Sequence, residues 1–98
     1  YNTRTAVCKA FCDTIRSAGY IPGIYANKRW FYNNIDVSQL NRYDIWVAHY
    51  TGSVNKQTDY RYKYDMWQYT SAGSILGVYG PVENGIARVD MNICYKNY

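Results

Sequence analysis

The sequence predicts an α/β fold, a partial (β/α)8 TIM-like barrel made of roughly its last four strands with an N-terminal helix, on three observations. The first is a set of short apolar or aromatic runs, Ile21–Asn27, Asp44–Tyr50, Tyr64–Thr70 and Val89–Asn92, each ending in polar or phenolic side chains and passing directly into loop-forming residues. A buried parallel strand reads this way when its C-terminal tip opens onto a site, and polar tips gathered on one face mark an α/β barrel. The second is a helical stripe that opens the chain with no strand before it. The third is length: 98 residues allow one small domain, whereas a complete barrel of this kind needs about 200. The expected unit is therefore a single partial domain over residues 1–98, the C-terminal half of a barrel.

Each element has its own warrant. Val7, Phe11, Ile15 and Ala18 recur at helical spacing, with Cys8 and Cys12 widening the stripe, so Thr3–Ala18 is expected to pack on the sheet. Gly19 is placed as the cap of that helix, in the left-handed conformation glycine adopts freely. A strand follows over Ile21–Tyr25, with Pro22 tolerated at its start. Asn27 or a neighbour caps a short helix over Lys28–Asn33, Asn33-Asn34 is a turn, and Asp36–Leu40 is a helical turn with Leu40 inward. Asp44–Tyr50 is a strand rich in Ile, Trp and Val. Residues 51–63 are polar, lack a helical stripe and read as a loop. Tyr64–Thr70 is the next strand, and Ile75–Tyr79 a short strand or irregular crossing. Gly80-Pro81 and Asn84-Gly85 are turn pairs, the second able to close a hairpin. Glu83 lies in a turn. The last strand covers Ala87–Met91, with a final helical turn over Ile93–Tyr95. All four strands are expected to be parallel neighbours in sequence order.

Composition narrows the partners. Eleven Lys and Arg against seven Asp and Glu give a formal charge of +4, which suits ordinary solubility or an anionic polymer. The basic residues are scattered and form no block, which argues against nucleic acid. No apolar run is long enough to span a bilayer. Thirteen Tyr and three Trp supply rings with apolar area and a polar handle, which suit sugar faces as well as packing. Cys8, Cys12 and Cys94 are too few for a disulfide framework and read as buried small hydrophobes. A zinc site from them and His49 lacks a short-spaced ligand pair, so no metal is expected.

In order along the chain, Trp46-Val47-Ala48-x-Tyr50, Trp67-Gln68-Tyr69-Thr70-Ser71 and Val89-Asp90-x-Asn92 resemble the C-terminal half of the family 25 glycoside hydrolases, the Chalaropsis-type lysozymes. The resemblance runs over nearly the whole chain. It implies part of a muramidase that cuts the β-1,4 bond between N-acetylmuramic acid and N-acetylglucosamine in peptidoglycan. It also implies an extracellular or cell-wall location and no metal or organic cofactor.

Asp90 is the candidate catalytic residue. Its strand-tip position aims the carboxylate into the mouth of a barrel, and it matches an active-site acid of the family. From the residues alone it reads equally well as a cap or turn anchor. Glycoside hydrolysis generally uses two carboxyl groups. The family supplies its principal acid from an Asp-x-Glu segment that does not occur here, so the chain by itself is expected to be inactive. Tyr25, Tyr50, Gln68 and Tyr69 are the candidate substrate-binding residues. Alternation allows only one of Gln68 and Tyr69 to face the interior, and Gln68 is favoured with Tyr69 as support. Trp46 and Trp67 are expected in the core, and His49 in a hydrogen-bonded structural role.

The alternative reading is a non-catalytic cell-wall carbohydrate-binding module, which would share the tyrosine-rich face and need no carboxylate pair; the absence of internal repeats weighs against it. A half-barrel also leaves two strand edges unpaired, and Ile24, Ile45, Val47, Met66 and Val89 uncovered, so either self-association or loose packing with fast amide exchange in the first strand is expected.

Overall fold

The computed structural model describes residues 2–75, 82–83 and 86–98. In chain order its elements are α1 (Asn2–Ser17), β1 (Gly23–Asn27), α2 (Lys28–Asn33), a 3-10 turn (Val37–Gln39), β2 (Asp44–Ala48), β3 (Met66–Gly73), β4 (Val82–Glu83), β5 (Ile86–Ala87) and β6 (Val89–Cys94). Among the described residues the main sheet has four strands in the order β1-β2-β3-β6, open at both edges, while β4 and β5 form a separate pair. This is the expected α/β architecture: a four-stranded sheet with an N-terminal helix, consistent with part of a barrel that is not closed.

The local signals explain most boundaries. Gly19 takes φ +92, with Tyr20 N–H donating to Ile15 O at 3.2 Å and Gly19 N–H to Arg16 O at 3.0 Å, the paired bonds that end a helix on a left-handed residue. Pro22 has no N–H to give, and pairing with β2 starts one residue later at Gly23↔Asp44. Asn27 Oδ1 accepts from Trp30 N–H at 2.8 Å, so β1 turns directly into α2. Leu40 is fully buried beneath the 3-10 turn, and residues 51–63 hold no helix or strand. β4 and β5 pair antiparallel on either side of residues 84–85. Glu83 therefore has strand backbone rather than a turn. The crossing expected beyond Ile75 and the pairs Gly80-Pro81 and Asn84-Gly85 lie outside the described residues.

The strand directions require a correction. β1, β2 and β3 are parallel, but β6 is antiparallel to β3, with Met66↔Cys94 at one end, Gly73↔Val89 at the other and two register shifts between. A parallel partner would need a crossover returning the chain to the start of β3; instead β6 begins opposite the residue where β3 ends. The expected helical turn over Ile93–Tyr95 is also absent. Ile93 pairs with Trp67 and packs on the core, and the strand continues to Cys94.

One face of the sheet carries the core. Ile45, Val47 and Trp67 point to it and meet Cys12, Phe31, Ile35, Leu40, Tyr43 and Tyr60. Two expectations about this face fail. Val7 and Phe11 are 63% and 61% exposed, and α1 packs instead through the narrower stripe of Thr5, Cys8 and Cys12. Small side chains let the helix sit close, and β1 is the sheet edge, so Val7 lines an open groove beside it. Ile45 and Val47 are not left uncovered, because their parity turns them toward the helices. Cys94 is exposed rather than buried, being on the opposite parity to Ile93.

The opposite end of the strands is tied down by charge. Asp44 is 7% exposed and accepts from Lys96 Nζ at 2.8 Å and Tyr98 OH at 2.5 Å, so the C-terminal residues are fastened to the start of β2. Burial pushes its carboxyl up, but Lys96 and Tyr98 together outweigh that and hold it below the ordinary value. The clamp is thus intact at neutral pH and is lost as the pH falls through this depressed value. Beside it, Asp65 Oδ2 accepts from Ile45 N–H at 2.9 Å and pairs with Lys63 at 2.9 Å.

Two tyrosines with opposite circumstances give a test. The Tyr98 hydroxyl donates to a buried carboxylate, whereas the Tyr60 hydroxyl is buried with no hydrogen-bond partner among the described residues. Tyr98→Phe is expected to lower stability by about 1 kcal/mol in urea unfolding, while Tyr60→Phe leaves it unchanged or raises it, because an unsatisfied buried group is removed. Equal losses for the two variants would contradict this assignment.

Candidate active site

The face of the sheet away from the core carries the polar side chains. Tyr25 and Asn27 on β1, Trp46 and Ala48 on β2, Gln68 on β3, and Asp90 and Asn92 on β6 share this parity. The register brings them into rows, with Tyr25 beside Trp46, Ala48 beside Gln68 and Gln68 beside Asn92.

Within these rows the contacts are specific. The Tyr25 ring meets Trp46 edge-on, with centroids 4.7 Å apart and planes at 69°. Trp46 Nε1–H reaches past β3 to donate to Asn92 Oδ1 at 2.7 Å. Gln68, 2% exposed, accepts at Oε1 from the Tyr25 hydroxyl and more distantly from the Tyr50 hydroxyl at 3.4 Å. The Tyr25 phenol is pushed above its ordinary value by burial first, then by the neighbouring Tyr50 phenol and the charge of Asp90. It therefore stays protonated as a donor at neutral pH.

Asp90 is exposed and lies near the start of β6, not at the C-terminal tip of a parallel strand as the sequence reading had it. Because β6 is antiparallel, its start lies at the same edge of the sheet as the C-terminal ends of β1, β2 and β3. The reversed direction and the reversed tip cancel, and Asp90 reaches the mouth beside Tyr25. The structure brings Tyr25, Tyr50, Gln68 and Asp90 to one region. It does not bring Tyr69, which faces the other way and packs on the core with Trp67, ring centroids 5.7 Å apart.

Other carboxylates are committed elsewhere. Asp13 pairs with Arg42 at 2.8 Å, Asp36 caps the 3-10 turn, and Asp59 pairs with Lys28 at 2.6 Å. Asp44 and Asp65 lie at the far ends of the strands. Among the described carboxylates, Asp90 is the one whose charge bears on the Tyr25 phenol. No group of three or more His, Cys, Asp or Glu side chains converges on a metal position among the described residues.

A cleft of ≈ 600 Å³ opens here, walled by Tyr25, Asn27, Lys28 and Arg29 from the β1–α2 junction and by Ala48, His49 and Tyr50 from the end of β2. His49 Nδ1 lies 2.7 Å from Thr58 Oγ1, and its carbonyl accepts from Trp67 Nε1–H at 3.0 Å, so it ties the 51–65 loop to β2 and β3. Trp67 is fully buried as expected. Trp46 is not: it is half-buried and belongs to the polar face. Sequence reasoning missed Trp46, Asn27 and Asn92 as members of this surface. The signal was present, since Asn92 is two residues from Asp90 and Trp46 two from Ala48.

Comparison with known proteins bears on the family and the fold. The family model described as glycosyl hydrolases family 25 matches residues 1–78. Among solved structures, the chain is similar to the CTP1L endolysin, with a TM-score of 0.63 and 23% identity, covering 92% of this chain and 29% of that one. The activity of that endolysin is regulated by a secondary translation product. The chain thus spans less than a third of that solved relative. No curated protein matches it.

The histidine yields a pH test. Burial, and then the charge of Lys28, hold the His49 imidazole below its ordinary value, against the opposing pull of Asp59. The folded state therefore resists protonation, and stability should rise with pH between the depressed value and the ordinary one. Thermal unfolding from about pH 5 to about pH 8 is expected to show this rise, and His49→Gln to flatten it. A gain in stability on acidification would instead mean that Asp59, 3.7 Å away, dominates the ring.

Proposed function

The chain belongs to family 25 of the glycosyl hydrolases, and on that premise we propose that it forms the C-terminal half of the catalytic barrel of a peptidoglycan-hydrolysing lysozyme. The bond cut is the β-1,4 linkage between N-acetylmuramic acid and N-acetylglucosamine, and the enzyme works at the bacterial cell wall. The observation that carries this reading is the position of Asp90, at the mouth shared by Tyr25, Tyr50 and Gln68 and next to a cleft large enough for sugar rings.

In this reading Asp90 is one of the two carboxyl groups around the scissile bond, and the other comes from barrel residues beyond these 98. Tyr25 and Tyr50 offer phenolic oxygens to a sugar hydroxyl or acetamido group. Gln68, accepting from both phenols, holds them in place. The Tyr25–Trp46 pair gives the sugar face an apolar wall. Tyr69 supports the site indirectly by packing β3 on the core.

Turbidity loss of bacterial walls tests the reading in three arms. The complete enzyme clears the suspension. Asp90→Asn in the complete enzyme is expected to lower turnover by about 10²–10⁴-fold without shifting its thermal unfolding, because the lost charge acts on the transition state rather than on packing. The 98-residue chain alone is expected to clear nothing. Full turnover by Asp90→Asn, or clear lysis by the chain alone, would contradict the assignment.

A further inference from the structure

The cleft wall carries two cations and no carboxylate, since Lys28 and Arg29 line it beside Tyr25, Asn27, His49 and Tyr50. The two cations differ. Lys28 Nζ is held 2.6 Å from Asp59 Oδ1, so its charge fastens the 51–65 loop to the β1–α2 junction. Arg29 is exposed, and among the described residues no hydrogen bond or ion pair of its guanidinium is formed. Its position is set by the backbone: the Asn27 cap turns β1 straight into α2, so Arg29 sits four residues beyond Tyr25 at the same opening.

A guanidinium with its donors unspent, at the edge of a cleft walled by phenols and an amide, recognises an anionic group carried on a polyhydroxylated ligand. A carboxylate fits best, because the planar fork meets its two oxygens at once. Peptidoglycan carries such a group wherever the lactyl acid of a muramyl residue bears no peptide, since an attached peptide turns that carboxyl into a neutral amide. We propose that Arg29 binds the muramyl carboxylate and sets the register of the glycan in the cleft. It thereby distinguishes muramyl residues with a free lactyl carboxylate from those carrying a peptide amide and from neutral N-acetylglucosamine polymers; this rests on reading the site as a peptidoglycan groove.

The test is an NMR titration of the ¹⁵N-labelled 98-residue chain and its Arg29→Gln variant. Three probes are compared: the N-acetylglucosaminyl-N-acetylmuramic acid disaccharide with a free lactyl carboxylate, its methyl amide, and chitobiose. Arg29 is exposed, so the variant keeps the fold, which its own spectrum verifies. The wild-type chain is expected to bind the free acid about tenfold more tightly than the amide or chitobiose, and Arg29→Gln to abolish that preference while leaving chitobiose binding unchanged. A preference that survives in the variant, or a wild type that shows none, overturns the role of Arg29. Displacement of the free acid by inorganic phosphate but not by acetate overturns the carboxylate assignment in favour of a phosphate-bearing wall polymer. Binding of none of the three sugars by either protein overturns the groove reading and the proposal with it.

Discussion

The two-residue period of the sheet, kept in register from Gly23↔Asp44 across to Gln68↔Asn92, decides everything else in this chain. Ile45, Val47, Trp67 and Ile93 share a parity and are covered by α1, α2 and the 51–65 loop. Tyr25, Trp46, Gln68, Asp90 and Asn92 share the other and form the polar face. A slip of one residue in any strand would exchange the two sets, placing Gln68 in the core and Trp67 in the cleft. The buried cluster and the candidate site are therefore two consequences of one pairing pattern. Its fasteners are visible at both ends: Trp67 Nε1–H to His49 O at the mouth, and Asp44 with Lys96 and Tyr98 at the other end.

Much of this was legible in the residues. The strand cores, the Asn27 cap, Gly19, the buried Leu40 and the choice of Gln68 over Tyr69 for the interior follow from local chemistry and alternation. Strand direction was harder. Residues 74–88 show no helical stripe, and a parallel return usually needs one, so the sequence did hold a hint that β6 is antiparallel. The same hint would have misled between β2 and β3, where residues 49–65 also lack a helix and the strands are nevertheless parallel. There the crossover packs through Tyr60, 4% exposed among Phe31, Tyr32 and Tyr64, and a single buried ring leaves no periodic trace.

The misplacements of Val7, Phe11 and Trp46 share a cause. Apolar size alone does not dictate burial, which depends on what lies opposite. Val7 flanks the edge strand β1, with an apolar groove of ≈ 360 Å³ beside it. Trp46 has the parity of the polar face, and its indole N–H finds Asn92, so an aromatic ring serves as the wall of a site without leaving a donor unpaired. Asp90 was placed at the mouth for a reason that does not hold, the tip of a parallel strand, and is there because the last strand runs the other way. Family membership and fold similarity agree with the architecture, while the chemistry of the mouth rests on this placement.

Interstrand NOEs between β3 and β6 test that placement most directly. Cross-strand backbone contacts are expected between Gly73 and Val89 at the mouth, between Gln68 and Asn92 midway, and between Met66 and Cys94 at the far end. Contacts that instead join Met66 to Val89 and run forward in parallel would carry Asp90 to the end held by Asp44 and Lys96, away from Tyr25 and the cleft, and would contradict the account.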